Sequence, residues 1–209
     1  ITDRARGNLL ATISQNDNQY DISAQLNRFV IDGYLLSGRM PINIRDSVIT
    51  ADINMKTHGI IAHDIFYNLT GDIDMIVDGG YLVGLGFDDF YAGANQITSF
   101  NAEYALADAL TSGETKIKNM HIVGKYDNSG FITSRPLTLQ MRHIDAYGEF
   151  DVDSGNMTVV LNMVLRGTSP TPAPLRLTIA PDGTRNYSLT DIMTNFDSGF
   201  MRSFVKTHS

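Results

Sequence analysis

The stretch ITADINMK, residues 49–56, alternates apolar and polar side chains without a break. In an extended strand, successive side chains point to opposite faces, so this pattern predicts a strand with one apolar and one wet face. The same alternation recurs in LTLQM (137–141) and LRLTI (175–179). In MTVVLNMVL (157–165) one face is apolar and the other mixes polar and apolar residues. The sequence therefore predicts a protein built mainly from half-buried β-strands.

Short turn-forming clusters separate these segments, among them NDN (16–18), NSG (128–130), DSGN (153–156) and PDG (181–183). Connections this short join antiparallel neighbours rather than parallel strands. Two segments, 115–126 and 156–167, each allow about twelve residues, or nearly 40 Å at ~3.3 Å per residue. We predict a mainly β fold in which a long antiparallel meander forms a curved, groove-like sheet, with two or three short helices.

Helical spacing is limited to three segments. Residues 62–69 and 88–96 are compatible with short helices, and residues 188–206 predict a C-terminal helix. That helix starts with a capping-box-like pair, Ser188 and Asp191, and its apolar residues recur at helical intervals. It has two possible roles: to cover one end of the sheet, or to dock on a membrane or a partner.

The glycine-rich stretch IVDGGYLVGLGFDDFYAG, residues 76–93, raises the question of a phosphate-binding loop. An aspartate replaces the third glycine of a dinucleotide fingerprint, and its carboxylate would repel a phosphate. The P-loop sequence Gly-Lys-Ser/Thr is also missing. We predict instead a β-hairpin in which Asp78, Gly79 and Gly80 turn the chain and residues 81–83 return alongside.

Composition narrows the function. The chain has 209 residues, a net charge of -7 and no cysteine. An acidic chain without a basic run is not expected to bind nucleic acid, and disulfide, zinc-ribbon and thiol chemistry are excluded. No apolar run approaches the roughly 20 residues that span a bilayer. Because the chain begins with Ile1 and no signal peptide opens it, we expect a processed or excised part of a larger protein.

Catalytic and metal-binding patterns are missing. The sequence contains no nucleophile elbow and no His-Glu-x-x-His helix. His58 and His63 have the wrong spacing for a pair of metal ligands. Residues 151–156 resemble the start of a calcium-binding loop, but their glycine comes one position too early. We therefore predict no catalytic residue, no metal site and no cofactor.

Six stretches follow one another in a characteristic order: ITADINMKTHG (49–59), NLTGDID (68–74), IVDGGYLVGLGFDDF (76–90), ITSFNAEYALADALTSGE (97–114), IDAYGEFDVDSGNMTVVLNMVLRG (144–167) and PAPLRLTI (172–179). This order resembles the C-terminal region of the AsmA family of Gram-negative envelope proteins over residues 48–179. The fourth stretch corresponds to a Thr-Ser-Phe strand in the family. Residues 143–148 keep only the second of two expected glycines. We treat residues 1–209 as a single AsmA-like domain.

The resemblance implies a periplasmic, non-enzymatic part of a protein anchored in the inner membrane. Such proteins are similar to bridge-like lipid transfer proteins, whose strands form an open apolar groove for phospholipid in outer-membrane homeostasis. The groove candidates on the apolar strand faces are Ile49, Ile53, Met55, Leu139, Met141, Val159, Leu161 and Met163. The structural turn candidates are Gly71, Asp78, Gly79, Gly80, Gly113 and Gly148. The implied partners are phospholipid or another lipid, outer-membrane proteins, and the membrane through an anchor in the parent protein.

Other interpretations remain open. An apolar strand face is more often an ordinary closed core than a lipid trough. The chain is alternatively a structural or assembly factor that binds outer-membrane proteins through strand edges. An enzyme on a sheet scaffold would need a cleft with a perturbed acid, base or metal, and no residue pattern supports one.

Overall fold

The computed structural model describes residues 6–35, 42–92, 102–166 and 173–187. Within these ranges the chain is mainly β, with one large antiparallel sheet and three helices, which confirms the predicted fold class. The elements are β1 (Arg6–Asn16), β2 (Gln19–Val30), β3 (Asn43–Arg45), β4 (Val48–His58), α1 (Ala62–Tyr67), β5 (Thr70–Asp78), β6 (Tyr81–Val83), α2 (Phe87–Ala92), α3 (Ala102–Thr111), β7 (Glu114–Asp127), β8 (Gly130–Thr133), β9 (Leu137–Met141), β10 (Asp145–Asp153), β11 (Thr158–Arg166), β12 (Ala173–Ile179) and β13 (Arg185–Tyr187).

The sheet is a meander whose strand order follows the chain. Its path runs β1-β2-β4-β5-β7-β8-β10-β11-β12-β13, and β9 fills the place beside β8, between β7 and β10. The predicted turns at 16–18, 128–130, 153–156 and 181–183 all connect antiparallel neighbours. β7 has 14 residues, as its long pattern predicts, whereas β11 has nine because Met157 lies in the turn with φ of 53°.

The hairpin predicted at Asp78, Gly79 and Gly80 is wrong. β5 and β6 lie end to end along the same edge of β7, and the Gly79 N–H donates to Lys118 O (3.1 Å) between them. Gly79 and Gly80 have φ of 70° and 83°, so the glycines do adopt the positive φ that was predicted. Two such residues in succession bend the strand without reversing it, because both flanks keep hydrogen bonds to β7.

The segment 97–114 was expected to form a strand, but its described part contains a helix, α3. Four of the ten residues of α3 are alanine, the strongest helix former. Leu106, Ala109 and Leu110 are buried at the spacing of one helix face. Gly113 follows the helix with φ of 83°, as a helix-terminating glycine does.

Two of the three predicted helices fall within the described residues. α1 lies inside the predicted segment 62–69, and α2 covers the first part of the segment 88–96. Residues 93–96 and the C-terminal helix at 188–206 lie outside the described residues. No described helix has the length and apolar character needed to cross a membrane.

The core lies between the sheet and a small unit formed by β3, β6, α2 and α3. Its buried side chains come from the apolar faces of β4, β5 and β7 to β12 and from both helices. The sheet curls far enough for β13 to reach this unit, since the Arg185 guanidinium donates to Leu110 O (2.6 Å) at the end of α3 and to Gly84 O after β6. The second half of the meander therefore wraps around the two helices.

Candidate functional site

Five neighbouring strands share one apolar face. Opposite residues of antiparallel strands point to the same face, so the strand register places apolar side chains in rows across the sheet. Three rows span β1, β2, β4, β5 and β7: Leu9–Leu26–Ala51–Met75–Ile122, Ala11–Ala24–Ile53–Ile73–Gly124 and Ile13–Ile22–Met55–Gly71–Tyr126.

Burial falls from β4 to β1 along the first of these rows, and all three rows end in an exposed residue at β1. In the first row Ala51 is 3% exposed, Leu26 is half-buried and Leu9 is 60% exposed, and in the third row Ile13 is 71% exposed. The apolar face thus leaves the core at β4 and β5 and ends uncovered at β1. We name the uncovered part the open apolar face; it consists of Leu9, Ala11, Ile13, Ile22, Ala24, Leu26, Ile53, Met55, Ile73 and Met75.

The predicted groove residues divide between the core and the open apolar face. Ile53 and Met55 are half-buried and belong to the open apolar face. The other six are between 1% and 6% exposed and belong to the core: Ile49, Leu139, Met141, Val159, Leu161 and Met163. Leu9, Ile13 and Ile22 were not among the predicted residues, although their period-two spacing is the signal that would have found them.

A small apolar cavity remains in the core beside Leu139, Leu161 and Met163. Its volume is about 90 Å³, and β3 and β6 close it with Ile44 and Leu82. An apolar cavity of about 150 Å³ binds a single benzene molecule, so this smaller space does not hold an acyl chain. The part of the apolar face under β3, β6 and the helices is therefore packed core rather than an open trough.

Two glycines predicted as turn residues lie inside strands. Gly71 and Gly148 lie in β5 and β10, and a Cβ at either position would lie 2.1 or 2.0 Å from a backbone oxygen of the neighbouring strand, Asn54 O or Asn162 O. Both positions thus require glycine because the strands approach closely. Asp78, Gly79 and Gly80 form the bend described above, and Gly113 ends α3.

A groove of about 710 Å³ spans β1, β2, β4, β5 and β7. The residues that line it belong to the Ile13 row and to the rows one residue to either side of that row. The neighbouring apolar row, which contains Ala11, does not line it. The flanking side chains point away from the apolar face, whereas Ile13, Ile22 and Met55 belong to the open apolar face. Charges of both signs line it, including Asp21 and Lys56, which are 3.8 Å apart.

The clearest polar cluster joins β3 to β7. Arg45 Nε donates to Glu114 Oε1 (3.0 Å), its other nitrogens contact Glu114 and Asp46, and its guanidinium lies 4.3 Å from the centre of the Tyr81 ring. The hydrogen bond from Arg45 lowers the pKa of Glu114. The Gly33 amide, followed by Arg45, lowers the pKa of Asp46. The cluster thus links β3 to β7 and to the start of β6.

One histidine of the sheet lies beside a carboxylate. His121 Nε2 lies 2.8 Å from Asp74 Oδ1, and both side chains are substantially exposed. Across the described ranges, no three histidine, aspartate or glutamate side chains are grouped closely enough to hold a metal ion. The open apolar face is therefore the feature with the clearest binding character.

No family model, no curated protein and no solved structure matches this chain. The resemblance to the AsmA family stays a prediction that depends on the order of its motifs, and one of those motifs is helical where a strand was expected.

Proposed function

We propose that this chain is a non-enzymatic lipid-handling module of AsmA-like type, whose open apolar face binds phospholipid acyl chains. The single observation that carries the proposal is the exposure gradient from Ala51 to Leu9 along one row, because it extends core-like surface into solvent. The periplasmic location, the inner-membrane anchor in the parent protein and the role in outer-membrane homeostasis depend on the resemblance to the family.

The dimensions of the open apolar face suggest weak, exchangeable binding. It extends five residues along β1, from Leu9 to Ile13, and across four strands. This is roughly 14 Å in each direction at ~3.4 Å per residue and ~4.8 Å between strands. At about 25 cal/mol per Å², covering roughly 200 Å² of this face and an equal area of hydrocarbon contributes roughly 10 kcal/mol. Association itself costs about 4–15 kcal/mol. A balance this close suits a protein that passes lipid on rather than storing it.

Leu9 and Leu10 provide a matched test, because they are neighbours with almost equal exposure, 60% and 63%, on opposite faces of β1. Leu9→Asp places a charge on the open apolar face, and Leu10→Asp places the same charge on the wet face. Each purified protein is extracted with organic solvent, and the lipid is quantified by mass spectrometry. We expect phospholipid with the wild type and with Leu10→Asp, and at least about tenfold less with Leu9→Asp.

Two outcomes would contradict lipid binding on this face. One is a wild-type protein that carries no lipid and takes up none from added phospholipid. The other is an equal loss of lipid in both variants while circular dichroism shows both to be folded.

A second candidate function is strand addition to β1, which would make the chain a structural or assembly factor for outer-membrane proteins. Within the described residues β1 pairs with β2 alone, so its outer edge has free backbone groups. Residues 7–16 contain no charged residue and no proline, the features that normally protect an edge strand. An extended peptide would bind such an edge through main-chain hydrogen bonds.

A further inference from the structure

Large apolar side chains are exposed around the short helix α1. Ile60 is 78% exposed, Ile61 59%, Phe66 74% and Tyr67 61%, and α1 buries none of its residues. We name these four residues the α1 tip. Such a concentration of exposed large side chains marks a surface that contacts a partner or a membrane.

The backbone around α1 holds the tip in place. The Thr57 hydroxyl donates to Ile65 O, and Asn68 Nδ2 donates to His58 O (3.0 Å). The Gly59 N–H donates to Asn18 O in the β1–β2 turn (2.9 Å). Thr57 is itself buried. The exposure of the tip is thus a property of a defined structure rather than of a loose loop.

The α1 tip is close to the open apolar face. α1 joins β4 to β5. Of the three apolar rows, the one nearest to α1 contains Ile13, Met55 and Gly71. The hydrogen bond from Gly59 ties the segment before α1 to the same end of the β1–β2 hairpin. A surface on which the tip rests would therefore lie next to the uncovered end of the apolar rows.

We infer that the α1 tip inserts into the headgroup region of an uncharged or zwitterionic lipid bilayer. At about 150–250 Å² for each large side chain, multiplied by its exposed fraction, the tip exposes roughly 500 Å². This is below the roughly 800 Å² that each partner contributes to a stable protein interface. A bilayer sets no such lower limit, because a few apolar side chains are enough for reversible attachment.

The low charge of the segment around α1 also favours an uncharged or zwitterionic bilayer. Residues 59–69 contain one charged residue, Asp64, and no lysine or arginine. Attraction to anionic lipid is therefore missing, and apolar insertion is the driving force. Tyr67, which stacks on His63 at 6.1 Å between ring centres, has the amphipathic character of residues at the level of the headgroups. This inference stands whether or not the open apolar face binds lipid.

Flotation with vesicles of phosphatidylcholine alone tests the inference. We expect the wild type to float with the vesicles, and to do so equally at about 1 M salt, where the Debye length is ~3 Å. Phe66→Ser should reduce the bound fraction at least about tenfold. The matched control is Tyr104→Ser, which removes an aromatic side chain that is 81% exposed on α3 and should leave flotation unchanged.

A spectroscopic readout complements flotation, because the chain contains no tryptophan. Phe66→Trp introduces a single reporter whose emission should shift to the blue on addition of vesicles and be quenched by brominated phosphatidylcholine. Tyr104→Trp should show neither effect. A wild type that stays with the unbound fraction, or a Phe66→Trp spectrum unaffected by vesicles, overturns the inference.

Two further results separate this inference from its competitors. If sedimentation shows wild-type dimers that Phe66→Ser abolishes, and no vesicle binding, the tip is a contact between copies and the membrane role is wrong. Failure of membrane docking is also distinct from failure of lipid binding. Phe66→Ser should keep its extractable lipid, and Leu9→Asp should still float with vesicles.

Discussion

Gly148 occupies the middle of β10 with no space for a side chain. Replacing it with alanine would place a Cβ 2.0 Å from Asn162 O on β11, so the two strands would have to separate. We expect Gly148→Ala to lower the free energy of unfolding by about 2–3 kcal/mol or more, as overpacking does. Urea unfolding measures the change.

The matched control for Gly148 is Gly155, in the β10–β11 turn. Its nearest neighbour is an oxygen of the Asp153 side chain, 3.2 Å from a built Cβ, and Gly155 needs no positive φ. Gly155→Ala should change the free energy of unfolding by about 0.5 kcal/mol or less. Equal stability of the two variants would show that β10 and β11 do not approach each other this closely.

Glu114 links stability to pH through Arg45. Because Arg45 lowers the pKa of Glu114 in the folded protein, the pair contributes stability above the unfolded pKa of ~4.3. That contribution is lost as the pH falls through the folded pKa. The Glu114 side chain is 38% exposed, so solvent screening limits the effect to about 1 kcal/mol or less.

Glu114→Gln tests this link. Between about pH 6 and pH 3 the wild type should lose more stability than the variant, and the difference between the two curves isolates Glu114 from other carboxylates. Chemical unfolding at several pH values provides the measurement. Parallel curves for the two proteins would mean that Glu114 has the same pKa in the folded and unfolded chains.

Among the individual elements, strand β1 has a free edge whose unpaired N–H groups can be identified from the register. Asn16 pairs with Gln19 across a two-residue turn, and such a closing pair is hydrogen-bonded. Because bonded and non-bonded pairs alternate, the N–H groups of Ala11 and Ile13 point to the free edge, and that of Thr12 points to β2.

Proline can therefore remove one outer donor without disturbing the β1–β2 pair. We expect Ala11→Pro to abolish binding of a synthetic copy of residues 6–16, measured by fluorescence anisotropy, with little change in stability. Thr12→Pro is the contrasting variant, because it breaks a bond to β2 and should destabilise the hairpin. If Ala11→Pro binds the peptide as the wild type does, strand addition at this edge is wrong.

Helix α3 shows why an element can be assigned incorrectly from a motif order. The order of motifs predicted a strand over residues 97–114, while the local signal was the opposite: alanines in every second or third place and Leu106, Ala109 and Leu110 on one helix face. The alternating segments elsewhere were assigned correctly because their period of two is a direct consequence of strand geometry. Local periodicity was the more dependable guide.

At the scale of the whole molecule, Arg185 joins the last strand of the meander to the end of α3. Its guanidinium satisfies two backbone oxygens, Leu110 O and Gly84 O, and burial lowers its pKa. Arg185→Met would leave both acceptors without this donor. We expect a loss of about 2–4 kcal/mol in the free energy of unfolding, typical of hydrogen bonds from a charged group.

Hydrogen exchange locates that loss. In Arg185→Met the amides of β12 and β13 should exchange faster than in the wild type, because the curl of the sheet is no longer held against the helices. Arg176→Met, on the exposed face of β12, is the control and should exchange as the wild type does. Unchanged protection in Arg185→Met would mean that apolar packing alone holds the curl.

Most strands, most of the turns between them and the apolar side of each strand could be predicted from the sequence, because these follow from the alternation of neighbouring residues. The sequence did not determine which part of the apolar face is covered. Leu161 and Ile13 both lie on apolar strand faces, yet one is 4% and the other 71% exposed. The difference comes from tertiary packing, because β3, β6, α2 and α3 are remote in sequence from most of the strands that they cover. They pack over one half of the sheet and leave the other half open.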